Sequence, residues 1–247
     1  MHIAIRSRLA PVIVAAGLFL APGSAHAAGG AFAVDDAEVD APGKCAVEAW
    51  TSFATNRDLI ATVAPSCVVG LGVPVEFTAQ AQRARSADAW GTSGGLSAKV
   101  NLIPVEGRPF GLALSAGNNW DLASGGHSDS FVNLPVTFQA SESFRVNVNG
   151  GWQYDATTRI NYLTWGAGFV WNVSKPLALI GELYGQSGKL PPVGDDEAPA
   201  PNSLRQPRTQ LGLRLMPKDH IDLDLIWGRN LTGENAHWLT LGINLRF

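Results

Sequence analysis

Ten side chains able to carry charge or hydrogen-bonding chemistry recur at alternate positions within short apolar segments. They are Glu48, Glu76, Lys99, Arg145, Glu182, Arg214, Asp222, Asp224, Asn244 and Arg246. In an extended chain residues i and i+2 share a face, so each of these would project from the polar side of a strand. Acids and bases interleaved in this way suit either a charged lining that selects solutes or a salt-bridged interior. Arg214, Asp222, Asp224, Asn244 and Arg246 come from the three segments nearest the C-terminus. Neighbouring strands would bring them within pairing distance. Asn101, Asn133, Asn147 and Asn149 follow the same parity.

Covalent chemistry has thinner support. His127, Ser128, Asp129 and Ser130 contain a base, a nucleophile and a carboxylate. Adjacent residues of an extended segment point to opposite faces, so contiguity counts against a triad. Beyond residue 27 the other histidines are His220 and His237, expected at opposite rims. No G-x-S-x-G elbow and no H-E-x-x-H helix occurs. We therefore expect no catalytic residue, no metal site and no cofactor, with an outer-membrane hydrolase as the least favoured reading.

The elements that would position these side chains are strands. Val73, Val75, Phe77 and Ala79 form one apolar face, and Leu96, Ala98, Val100 and Leu102 another. The pattern continues through Val132–Phe138, Leu163–Trp171, Leu211–Leu215 and Ile221–Leu225 to Leu239, Leu241, Ile243, Leu245 and Phe247. Short turns near residues 70–72, 106–109, 141–143, 173–176 and 217–219 alternate with longer polar connections at 83–94, 118–128, 154–159, 185–207 and 231–236. Cys45 and Cys67 are centred on the turn signal Thr55-Asn56-Arg57-Asp58, which predicts a hairpin with a cross-strand disulfide. With that hairpin the count is about twelve strands.

Residues 1–27 carry Arg6 and Arg8, an apolar run from Leu9 to Ala21, and Ala25-His26-Ala27, the layout of a cleaved secretory signal peptide. The apolar run is too short to span a bilayer. Without this segment 16 basic residues face 21 acidic ones, a net charge of −5. No basic patch interleaved with aromatics is present, which excludes an ordinary nucleic-acid binder. Residues 28–43 contain Asp35, Asp36, Glu38 and Asp40 without strand periodicity. A flexible acidic segment is expected there, with a small plug in the barrel as the alternative.

The alternation requires one greasy surface and one polar one. Turning the charged positions toward lipid would cost about 2–4 kcal/mol for each basic side chain near the bilayer midplane, so parity assigns them to a lumen. Trp50, Trp90, Trp120, Trp152, Tyr162, Trp227 and Trp238 lie toward strand ends, where an aromatic girdle is expected. Trp120 and Trp238 are alternatively stacking platforms for a solute. The terminal strand ending in Phe247 resembles the C-terminal signature of Gram-negative outer-membrane β-barrels, which the barrel-assembly machinery reads.

Shorter motifs resemble a family of outer-membrane transporters of the phenol-degradation (MetA-pathway) type. They are Val34-Asp35-Asp36-Ala37-Glu38 with Cys45, Leu134-Pro135-Val136, Gly181-Glu182-Leu183-Tyr184-Gly185, Gly228-Arg229-Asn230 and Gly233-Glu234-Asn235-Ala236. The resemblance implies an outer-membrane barrel with a transport role, and it names neither solute nor catalytic residue. The expected architecture is thus all-β: one antiparallel transmembrane barrel over residues 44–247 with both termini periplasmic. The expected function is a narrow channel for small solutes, hydrophobic or aromatic ones included. The alternative from another class is a structural or surface-interaction barrel sealed by its own ion pairs. A soluble periplasmic β-protein is a further alternative, needing protein to cover the leucine-rich faces. Expected partners are outer-membrane lipid, the solute, and the assembly machinery and periplasmic chaperones during biogenesis.

Overall fold

Alternation of apolar and polar residues produces twelve strands, and hydrogen bonding closes them into one barrel. In the computed structural model the described residues are 31–86, 88–190, 205–232 and 235–247. The signal-peptide expectation for residues 1–27 and the acidic run Asp195-Asp196-Glu197 lie outside them. The first six strands are β1 (Cys45–Ala54), β2 (Leu59–Gly70), β3 (Pro74–Ser86), β4 (Ala89–Ile103), β5 (Phe110–Asp121) and β6 (His127–Ser141). The rest are β7 (Phe144–Asp155), β8 (Ile160–Ser174), β9 (Leu177–Leu190), β10 (Arg205–Lys218), β11 (Ile221–Asn230) and β12 (His237–Arg246). Each pairs antiparallel with its sequence neighbour, and β1 pairs with β12 from Ala46↔Arg246 to Ala54↔Trp238. Closure leaves no open sheet edge.

The barrel is inverted relative to a soluble one. Leu96 (60 % exposed), Leu241 (52 %), Leu211, Leu213, Leu223 and Leu225 face outward, while Lys99, Asn133, Thr137, Asn147, Glu182 and Asp222 are buried inside. Water would penalise such an outer surface, and hydrocarbon would not. No described helix is long and apolar enough to cross a membrane, which says nothing of crossing by the strands of a closed barrel.

The connections depart from expectation at the rim opposite the short turns. The expected polar connection over residues 83–94 is instead paired strand: Arg83 faces Thr92 and Arg85 faces Trp90, up to Ser86↔Ala89. Asp88 follows with φ 64. Likewise β5 runs to Asp121 and β6 begins at His127, and strand continues to Leu190 and resumes at Arg205. Polar composition signalled loops here, but strands that rise above an apolar belt keep their hydrogen bonds without needing an apolar face.

Three aromatics also differ. Trp50, Tyr162 and Trp238 take inward-facing register positions, opposite Gly242, Gln153 and Gly228 respectively. Tyr162 is almost fully buried, at 1 % exposure. Trp90 and Trp227 remain on the outside, 50 % and 43 % exposed.

Residues 31–39 overturn the expectation of a flexible tail, because they run inside the barrel, while 40–44 are exposed and lead to β1. Phe32, Val34, Asp35, Asp36, Ala37 and Val39 are all buried. The segment joins the wall through a tight turn, with Lys44 N–H donating to Ala41 O and Gly43 N–H to Val68 O. Gly43 sits at φ 88, a conformation that a residue without Cβ adopts freely. One residue after Lys44, the Cys45–Cys67 disulfide ties β1 to β2. Periodicity could not foresee the docking, because the plug owes its order to tertiary hydrogen bonds.

Candidate functional site

The inner wall supplies three kinds of contact to the segment inside it. The first is backbone capture. Glu182, on the inner face of β9, accepts from Ala33 N–H (2.9 Å) and Val34 N–H (3.0 Å), and from the Gln210 amide. Asn149 on β7 exchanges two hydrogen bonds with the Asp35 backbone, at 2.6 and 2.7 Å. Thr137 on β6 accepts from Ala37 N–H at 2.8 Å, and its hydroxyl donates to Asn147. These bonds satisfy amides that would otherwise be buried without partners.

The second is charge. Lys99 Nζ on β4 lies 2.7 Å from Asp35 Oδ1 and 3.4 Å from Asp36 Oδ1. Arg145 on β7 bridges Asp36 Oδ2 (3.2 Å) and Glu38 Oε2 (2.7 Å). Glu76 is the cross-strand neighbour of Lys99. The acidic segment thus neutralises two cations on the same side of the barrel, on strands separated only by β5 and β6.

The third is shape. Phe32 packs with Ile180 and Ile226 and beneath the Arg214 guanidinium, 5.1 Å from the ring centroid. A Cβ on Gly212 would come within 2.8 Å of the Phe32 ring, and one on Gly166 within 2.9 Å of Val34 Cγ2. Both glycines occupy inward positions, so the wall is hollowed where the segment lies.

A second network pairs wall with wall, and touches the segment where Arg214 covers the Phe32 ring. Arg214 Nε and Nη2 bind Asp224 at 2.8 and 2.9 Å, a bidentate pair. Arg246 donates to Asp222 at 2.6 and 2.9 Å, and Asn244 donates to Glu48 at 3.1 Å. Arg214 Nη1 is 3.8 Å from Asp222, which links the two pairs.

All ten expected lining residues therefore lie on the inner face, divided between these networks. The sequence reading missed the wall's principal partners, Asp35, Asp36 and Glu38, together with Phe32 and Val34. A signal was present in retrospect: four acids in a segment of no periodicity, beside a barrel with glycines at inward positions. Elsewhere, Ser130 Oγ lies 3.0 Å from His127 Nε2, while Asp129 accepts from Asn119 instead of completing a triad. Among the described residues no group of His, Cys, Asp and Glu is arranged to hold a metal ion.

A family model described as Uncharacterised conserved protein UCP029691 matches residues 16–247. The chain belongs to that family. The description names no activity and no solute, phenol degradation included. No curated protein shows significant sequence similarity to the chain. Among solved structures, the KdgM porin superposes with a TM-score of 0.62 at 7 % identity, covering 82 % of this chain and 99 % of that one. The COG4313 outer membrane channel from Pseudomonas putida F1 gives a TM-score of 0.59 at 14 % identity, covering 86 % and 98 %. The NanC porin gives 0.57 at 8 % identity, covering 81 % and 98 %. At these identities the likeness establishes the fold, that of outer-membrane porin-like barrels.

Proposed function

We propose that this chain is a narrow outer-membrane channel for small hydrated solutes, whose path is set by its own N-terminal segment. The observation that carries the reading is the inner face: predominantly polar and charged, and joined to residues 31–39 by separable, non-covalent contacts. A barrel meant only to be sealed could fill its lumen from the wall, as Arg214, Asp224, Asp222 and Arg246 already do on one side. A lining of Asn, Thr, Gln and paired charges favours hydrated solutes over the hydrophobic or aromatic ones included in the sequence-based expectation. The phenol-degradation resemblance accordingly contributes the transport role rather than the solute.

The same reading places the chain in the membrane. The short-turn rim, where Cys45 N–H bonds Phe247 O, faces the periplasm, and the longer connections face outside. Export would remove residues 1–27 and leave the lumen segment at the mature N-terminus. Phe247 acts as the assembly signal, so its deletion should lower the amount of heat-modifiable barrel in outer-membrane fractions. Normal assembly without it would sink that part.

Conductance in planar bilayers tests the channel itself. Folded wild-type protein should give small, discrete openings, and Lys99→Met with Arg145→Met should enlarge them severalfold by loosening the segment. Deleting residues 31–40 provides a second arm should the double variant fold poorly. Silence from both variants, with folding shown by heat-modifiable mobility, would replace the channel with a sealed structural barrel.

A further inference from the structure

Outside the lumen, one sector of the rim opposite the short turns carries cations of a different kind. Arg83 and Arg85 take outward positions on β3, alternating with inward Gln82 and Ala84. Their guanidinium carbons lie 5.1 and 5.7 Å from the centroid of a single ring, Trp90 on β4. Arg85 also donates from Nε and Nη2 to the carbonyl of Arg57, at 3.1 and 2.8 Å. Arg57 itself sits at φ 72 in the turn between β1 and β2. Two arginines and one tryptophan thus form one cluster, tied to the adjacent hairpin through the Arg57 carbonyl, with Arg83 exposed and Trp90 half exposed.

The cluster stands out for what it lacks. Among the described residues the ion pairs engage Lys99, Arg145, Arg214 and Arg246, all facing inward, and none engages Arg57, Arg83 or Arg85. The nearest acids in sequence are Asp58, which accepts from Asn56, and Asp88 at the β3–β4 connection. Hydrogen bonds to a carbonyl and to the Thr92 hydroxyl orient the guanidinium groups without neutralising them.

Depth identifies the occupant. The outward apolar run on β3 begins at Val75 and ends at Ala81, directly before Arg83. From Val75 to Arg83 is about 26 Å of strand, or about 20 Å of membrane depth at a 40° tilt. Arg83 therefore stands at the upper edge of the hydrocarbon belt, where headgroups begin and a half-exposed tryptophan is at home. An oriented guanidinium pair at that level matches the planar, bidentate recognition of phosphate oxygens.

We propose that Arg83, Arg85 and Trp90 form a binding site for the phosphorylated headgroup of the outer-leaflet glycolipid. The proposal rests on the outward orientation of this rim given above. It does not depend on whether the barrel conducts.

The test is lipid retention by the folded full-length barrel in detergent, read by native mass spectrometry. The probes are bisphosphorylated lipid A and the same lipid after enzymatic dephosphorylation. Wild type should retain the phosphorylated form at least about tenfold more strongly, and Arg83→Gln with Arg85→Gln should abolish that preference. Arg83→Lys with Arg85→Lys keeps the charge and should retain part of it, which leaves a readable variant if the glutamines impair folding. Arg108→Gln with Lys175→Gln removes the same charge from the opposite rim and should change nothing. Equal retention of both lipids, or equal loss in the rim and control variants, would overturn the site. So would displacement by millimolar inorganic phosphate alone, which would point to a free-anion site. An epitope inserted between Leu122 and Gly126 should be reachable on intact cells; if it is not, the orientation and this site both fall. Lipid binding by a silent barrel would overturn the channel and leave the site standing.

Discussion

The two charge networks inside this barrel are built from the same residue types and differ in where their partners come from. Arg214, Asp224, Asp222 and Arg246 lie on adjacent strands, so wall pairs with wall. Lys99 and Arg145 reach instead to Asp35, Asp36 and Glu38, more than 60 residues away in sequence. One network holds strands in register, and the other holds a passenger. Damage to the first should therefore loosen the barrel, and damage to the second should free the segment while leaving the barrel intact.

The largest effect should come from Asp224→Ala. It removes both hydrogen bonds of a bidentate pair from Arg214, whose side chain is 11 % exposed and 3.8 Å from Asp222. Breaking a buried pair from one side typically costs about 3–5 kcal/mol. The urea midpoint of the folded barrel, followed by tryptophan fluorescence, should fall accordingly, with amide exchange of residues 33–37 unchanged below the transition. A fall in their protection at low urea would mean that the two networks are one.

Lys99→Met should do the converse. Asp35 and Asp36 would lose their shared cation, so the segment should dock less tightly by about 2–3 kcal/mol. Exchange of the Ala33, Val34, Asp35 and Ala37 amides would accelerate by orders of magnitude while the unfolding midpoint hardly moves. A midpoint shift as large as that of Asp224→Ala would show that the segment props up the wall.

This contrast also explains how much was legible in the sequence. Strand parity placed Asp222, Asp224, Arg214 and Arg246 together because register is a local property, propagated one neighbour at a time from short turns. It likewise paired Cys45 with Cys67 across a hairpin. The segment at 31–44 has no period, so nothing local distinguishes a docked strand-like chain from a solvated one. Its acids could equally have faced water. What decides the matter is the hollow at Gly166 and Gly212, and an empty position is visible only once opposing strands are assembled.

Gly212→Leu probes that hollow without touching a charge. The new side chain would collide with the Phe32 ring, an overpacking worth about 1–3 kcal/mol against docking. Phe32→Ala in the same chain should restore much of the loss, since the space vacated can accept the leucine. Exchange at Ala33 and Val34 measures the coupling between the two changes. Additive effects would mean that Phe32 does not sit against β10 in solution.

The smallest effect should come from Arg246→Lys. This guanidinium binds Asp222 with two nitrogens, but its side chain is 34 % exposed, three times as much as that of Arg214. Water at the rim can solvate a lysine that reaches only one carboxylate oxygen, so the loss should be about 0.5–1 kcal/mol. Arg214→Lys makes the same chemical change deeper in the lumen, where the second hydrogen bond has no such substitute, and should lower stability by about 2 kcal/mol. The ratio of the two urea shifts therefore reports how quickly water is lost on moving inward from the rim. Equal shifts would mean that the lumen is wet to the depth of Arg214, and that pairing there sets register more than it adds stability.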